Sequence, residues 1–171
     1  GQSTSKANTA ILHTGFDAIP GSVESRLVRR GYELLMSYAP SHNIAIERTG
    51  ALLVAWTEEQ LDALPKLAKK AADNGYERAA TLSAQDLYGL EPRLGDGALG
   101  ALSIPDEFII DPWGPPISFA NDAVLAGAKV IVGQKVNEIE GSAHDWIVHA
   151  GSSAIRCRWV VNAAGLGSSA I

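Results

Sequence analysis

The chain has 171 residues, 46% hydrophobic and 19% charged, with a formal charge of −5. That composition excludes a disordered or collagen-like polymer and allows a substantial core without covalent staples. A lone Cys157 excludes an internal disulfide framework and a multi-cysteine zinc site. No basic tract supports nucleic-acid binding, no apolar run can cross a bilayer and no signal-peptide pattern opens the chain, so a cytoplasmic protein of one domain or slightly more is expected.

The first residues lack an initiator Met, and Ile171 follows directly on a strand-and-glycine pattern that ordinarily leads into a helix. Both ends are therefore expected to be cuts from a longer parent. Residues 10–16 form a short apolar run closed by Ile19-Pro20-Gly21. Ser22 can cap a helix from Val23, with Leu27, Gly31, Leu34, Leu35 and Tyr38 on one face and Pro40 as its stop. Residues 44–48 and 50–56 read as two strands of a hairpin about Thr49-Gly50. Thr57 and Gln60 form a capping box for a helix whose buried face carries Leu61, Leu64, Leu67, Ala68, Ala71 and Ala72. Pro65 should kink or split that helix, and Asn74-Gly75 should end it. Ser83 caps a short helix ending near Gly89 or Glu91. Residues 98–104 and 107–110 read as strands. Asp111-Pro112 starts a helix carrying Ile117, Ala120 and Val124, its onset delayed by Pro115 and Pro116. Residues 129–132, 135–140, 145–150 and 159–163 complete the strands, giving an α/β or α+β domain with at least one mixed sheet.

The most informative stretch runs from Trp159 to Ser169, where an apolar strand meets Ala163-Ala164-Gly165-Leu166-Gly167. Small residues let a backbone approach a phosphate or a flat ring, although a plain tight turn has the same composition. Gly165 to Ala170 also matches the loose G-x-G-x-x-A pattern of a nicotinamide-binding unit. His13 lies in an apolar run, where a core histidine and a catalytic one look alike. His144 and His149 point to opposite faces of one strand and make no metal pair, and His42 reads as a solvated loop residue. Cys157 alternates away from Arg156 and Arg158, which favours burial over reactivity. The cluster Ser3-Thr4-Ser5-Lys6-Ala7-Asn8 offers hydroxyl, amide and ammonium donors to a pyrophosphate, or is a solvated terminus.

Taken together, these segments resemble a known family. Residues 5–15 fit the S-x-x-N-[ST]-x-[IV]-[IL]-H-x-G segment of FAD-dependent oxidoreductases with the D-amino-acid-oxidase fold, in the branch of glycerol-3-phosphate and L-2-hydroxyglutarate oxidases and dehydrogenases. Pro20-Gly21-Ser22, the Thr49-Gly50 strand, Glu91-Pro92, Ile110-Asp111-Pro112 and Val161-Asn162-Ala163-Ala164-Gly165 follow in the family's order.

The resemblance implies an α+β fold: a mixed-sheet substrate domain over residues 44–111, and an incomplete FAD-binding domain over 1–43 and 112–171 that lacks the N-terminal GxGxxG unit. Ser3, Thr4, Ser5, Lys6 and Asn8 would line the FAD pyrophosphate and ring edge, and Gly15 the isoalloxazine. Val136 would meet the adenine, and Ala163, Ala164 and Gly165 would pack on the cofactor. His13 would be the catalytic base, since oxidising a secondary alcohol requires loss of its hydroxyl proton. Thr14 stands where the family often has a smaller residue. The implied partner is a small-molecule substrate, glycerol 3-phosphate ahead of L-2-hydroxyglutarate or a sarcosine-like amine; the residues name no electron acceptor and no oligomeric state. A cofactor-free binding or structural module is the rival reading, and without the phosphate-binding unit the chain by itself is expected to bind FAD weakly and to be inactive.

Overall fold

Residues 4, 5 and 7–171 are described by a computed structural model in which residues 5–118 form one unit and residues 119–171 the other. In chain order the first unit contains β1 (Ile11–Leu12), α1 (Val23–Ser41), β2 (Ile46–Glu47), β3 (Ala51–Ala55), α2 (Glu58–Asp73), β4 (Ala80–Ser83), α3 (Ala84–Leu90), β5 (Gly100–Ile104) and β6 (Phe108–Ile110). Helix α4 (Gly114–Leu125) spans the division, and β7 (Val136–Ser142), β8 (Asp145–Ala150), β9 (Ser153–Cys157) and a 3-10 helix (Gly165–Ala170) follow.

Side-chain caps start the first three helices. Ser22, Thr57 and Ser83 accept the N–H of Ser25, Gln60 and Asp86, so each helix opens with one free donor satisfied. Gln60 reaches back one residue past the cap, its Oε1 accepting the N–H of Trp56 at 2.7 Å in place of the Thr57 N–H that a capping box uses. At the far end of α2, Gly75 adopts a φ of +79° while Gly75 and Tyr76 donate to the carbonyls of Ala72 and Ala71, a glycine-terminated close.

Two three-stranded sheets organise the first unit, in the orders β1-β6-β2 and β3-β5-β4. Alternation along β5 divides its side chains between two layers. Leu102 and Ile104 pack with Ala55 and Leu64 beneath α2, while Ala101 joins Ala98 and Leu87 beneath α3. A third cluster joins Leu12, Ala39, Ile44, Phe108 and Ile110. In the second unit β7, β8 and β9 form an antiparallel meander.

The α+β architecture holds, but every strand pairing among the described residues is antiparallel where a mixed sheet is expected. The expected hairpin about Thr49-Gly50 does not form: β2 pairs with β6 and β3 with β5, because Gly50, with a φ of +68°, turns the chain from one sheet into the next. Strands β4 and β9 are not among the elements expected from the sequence; β4, Ala80-Thr81-Leu82-Ser83, is a short run with a single large apolar residue. Pro40 sits inside the last turn of α1 rather than before it, and α2 runs unbroken through Pro65, which lies on its exposed face where the freed carbonyl can meet water. The packed face of α1 is Tyr32, Leu35, Met36, Tyr38 and Ala39; Leu27 and Leu34 are exposed. Residues 129–132 and 159–163 form no strand, since neither run has a neighbouring strand among the described residues to bond its backbone. Residues 5–43 share a unit and a core with residues 44–118. No helix among the described residues is long and apolar enough to cross a membrane.

Candidate functional site

His13 leaves the end of β1 directly after buried Leu12, whose ladder partner is Phe108. Continuing that antiparallel register sets position 13 across from Glu107, in the turn between β5 and β6. Glu107 is only 4% exposed, and its Oε2 lies 3.2 Å from Nδ1 of His13, whose side chain is 50% exposed. The other oxygen, Oε1, accepts the Thr14 N–H at 2.6 Å and the Thr14 hydroxyl at 3.0 Å. A dry carboxylate thus lies at ion-pair distance from one ring nitrogen of a solvent-accessible imidazole.

The turn that carries Glu107 is pinned through its neighbour. Asp106 accepts from Arg78 at 2.5 Å and from the Tyr76 hydroxyl at 3.0 Å, while its carbonyl accepts the Tyr32 hydroxyl at 3.0 Å. Burial pushes the Tyr76 phenol up to about 12, against a lowering from the Asp106 N–H that it accepts and with a further rise from the Asp106 carboxylate. Burial first and the Asp106 charge second raise Tyr32 as well. A cavity of about 280 Å³ beside this network is lined by Thr14, Arg29, Tyr32, Asn74, Tyr76 and Asp106.

Ahead of β1, the Asn8 side chain accepts the Ala10 N–H at 2.8 Å and donates to the Ser5 carbonyl at 3.4 Å, so its amide shapes the loop. Thr4 and Ser5 lie in an exposed turn. The expected roles of Ser3 and Lys6 fall outside the described residues. Gly15, at a φ of +81°, takes a left-handed turn that wants a glycine, while a Cβ there would meet Val28 only at ordinary contact distance.

In the second unit Val136 opens β7 and lines an apolar recess of about 280 Å³ with Lys129, Ile131, Gln134, Val148 and Ile155. The ladder shifts between Val136 and Glu138, which detaches the start of β7 from strict pairing. Ala163, Ala164 and Gly165 are exposed, and Asn162 braces their bend by accepting the Ala164 N–H at 3.1 Å and donating to the Ser168 carbonyl at 2.8 Å. Gly165 has a φ of +57° and open space where a Cβ would stand.

Other histidines find local roles. His149 lies 2.7 Å from Glu140, His144 packs its ring edge-on to Trp159, and His42 caps α1 and stacks on Tyr38 rather than standing free in solvent. Cys157 is half-buried on β9 opposite Trp146. No cluster of metal-ligating side chains occurs among the described residues. Sequence reasoning missed Glu107; its signal, a carboxylate interrupting two apolar strands, becomes legible only once the pairing of β1 with β6 is known.

Comparison with known proteins gives one consistent family. The family model "FAD dependent oxidoreductase" (DAO) matches residues 1–171. A glycerol 3-phosphate dehydrogenase of Caloramator mitchellensis is 30% identical over 97% of this chain and 35% of its own length. An L-2-hydroxyglutarate dehydrogenase of Indibacter alkaliphilus is 26% identical over 96% of this chain and 41% of its own. Among solved structures, the FAD-bound L-alpha-glycerophosphate oxidase of Mycoplasma pneumoniae superposes with a TM-score of 0.81 at 22% identity, over 89% of this chain and 41% of that one. The chain therefore spans well under half the length of the relatives it matches.

Proposed function

The chain belongs to the FAD-dependent oxidoreductase (DAO) family, and from that premise we propose that it is part of a flavoenzyme oxidising glycerol 3-phosphate or a related 2-hydroxy compound. The observation that carries this reading is the half-exposed imidazole of His13 held by a buried carboxylate. A positioned imidazole can take a hydroxyl proton near neutral pH. When bound, FAD would supply the acceptor for the hydride of the carbinol carbon. The substrate loses its O–H proton to His13 and closes its carbonyl as that C–H bond breaks, so the alcohol is oxidised by two electrons.

The described residues fit such a cofactor. The apolar recess at Val136, with Lys129 and Gln134 at its rim, suits one face of a flat ring. The exposed, small-residue bend at Ala163, Ala164 and Gly165 leaves its backbone open to a large partner. On this reading Ser3, Thr4, Ser5, Lys6, Asn8 and Gly15 serve the pyrophosphate and ring edge from the other end of the chain. Residues 1–43 and 112–171 then act on the flavin side and residues 44–111 on the substrate side.

Glycerol 3-phosphate is preferred because the relative bearing that name reaches 30% identity across nearly the whole chain. The L-2-hydroxyglutarate dehydrogenases, 26–28% identical in the bacterial and human proteins, make that acid the second choice. Glycine oxidase of Geobacillus kaustophilus shares the fold at 21% identity, which gives an amine substrate no weight of its own. The test is anaerobic mixing of the full-length, flavin-loaded protein carrying this chain with each compound. Loss of the oxidised flavin absorbance with glycerol 3-phosphate but not with L-2-hydroxyglutarate is expected; loss with sarcosine alone would overturn the substrate class.

A further inference from the structure

The geometry points to Glu107 as the positioning residue that fixes which nitrogen of His13 is basic, an inference that rests on His13 being the base proposed above. One oxygen of the carboxylate is committed to hydrogen bonds and the other lies at ion-pair distance from the ring. Oε1 takes the N–H and the hydroxyl of Thr14, at 2.6 and 3.0 Å, and Oε2 faces Nδ1 of His13 at 3.2 Å. A carboxylate oxygen at 3.2 Å repels a ring lone pair and attracts an N–H, so the proton is assigned to Nδ1 and the neutral ring keeps its lone pair on Nε2. The ring gains an orientation as well, because Glu107 is buried and its turn is tied by Tyr32, Tyr76 and Arg78 through Asp106. His13 itself is half exposed, so the fixed end is dry and the rest of the ring remains accessible.

A purely structural Glu107 would serve only to satisfy Thr14, and Glu107→Gln separates the two roles. The glutamine carbonyl can still take both Thr14 donors. Its amide NH₂ then falls opposite Nδ1 and donates, which forces Nδ1 to accept and moves the ring proton to Nε2. The full-length, flavin-loaded protein labelled with ¹⁵N-histidine gives the readout, the His13 signal being identified by its loss in His13→Ala. The wild type should show the Nδ1–H tautomer and Glu107→Gln the Nε2–H tautomer. Flavin reduction in the Gln variant should slow roughly 10²- to 10⁴-fold, with the substrate Kd moving less than about threefold. Glu107→Asp, which keeps an acceptor-only group, should recover part of that rate. An Nε2–H tautomer in the wild type would overturn the proposal without any variant having to fold, and so would a Gln variant reduced at the wild-type rate. Failure of every hydroxy compound to reduce the flavin would sink the substrate reading, while the tautomer would still decide the role of Glu107.

Discussion

Asp106 and Glu107 are adjacent carboxylates with different work. Asp106 gathers Tyr76, Arg78 and Tyr32 into one network, whereas Glu107 turns back toward Thr14 and His13. The network carries a pH signature. Tyr76 has an ordinary value of 10.0 and is raised to about 12 in the folded chain, so unfolding favours its ionisation. Its contribution to stability is complete below the unfolded value and is lost as pH rises from 10.0 toward about 12. Urea titrations across that window should show the larger unit weakening, and Tyr76→Phe should flatten part of the slope; an unchanged slope would contradict the assignment. On the acid side, the hydrogen bonds from Arg156 hold the Asp145 carboxyl below 3.8, so that pair's support of the β7–β9 meander is present above this value and fades as pH falls below it. Asp145→Asn should remove the acid-side dependence of the meander's amide exchange, and an exchange profile identical to the wild type would exclude that role. At this scale the setting of His13 in the chain leaves a core and a catalytic histidine alike, and only the family resemblance puts it forward as a base; Glu107 is not put forward at all, because its contact depends on a partner 94 positions away in the sequence that only strand pairing brings close.

At the scale of elements, helices were more legible than strands. Ser22, Thr57, Ser83 and Asn74-Gly75 act through neighbours a few residues away, so local reading located the starts and the stop. Strand partners are set by long-range packing, and the Thr49-Gly50 turn divides two sheets that no local pattern distinguishes. Gly100 makes the same point quantitatively. A Cβ there would stand 2.8 Å from the Leu82 carbonyl oxygen and 3.0 Å from Leu61 Cδ1, between β4 and α2. Gly100→Ala should therefore cost roughly 1–3 kcal/mol by overpacking, seen as a lowered urea midpoint; a midpoint within error of the wild type would mean that β4 can give way. Leu102, fully buried beneath α2, should lose about 2–5 kcal/mol on replacement by Ala in the same experiment.

For the whole molecule, the His13 network belongs to the unit of residues 5–118, and the Val136 recess and the Ala163-Ala164-Gly165 bend belong to the unit of residues 119–171. The sequence motifs could not reveal that residues 5–43 share a core with 44–118, because that core is assembled from Leu12, Ala39, Ile44, Phe108 and Ile110, scattered over most of the unit. Residues 130–132 and 159–161 leave apolar side chains exposed, consistent with a chain that spans only 35–41% of its relatives. Dialysis of this chain against FAD should accordingly show weak retention, and stoichiometric yellow protein would contradict that expectation. The central claim, that His13 is the proton acceptor of a flavin-dependent alcohol oxidation, is tested most directly by anaerobic rapid mixing of the full-length protein and its His13→Ala variant with glycerol 3-phosphate. Flavin reduction in the variant is expected to be slowed by about 10²- to 10⁴-fold at saturating substrate; equal rates in the two proteins would exclude His13 as the base.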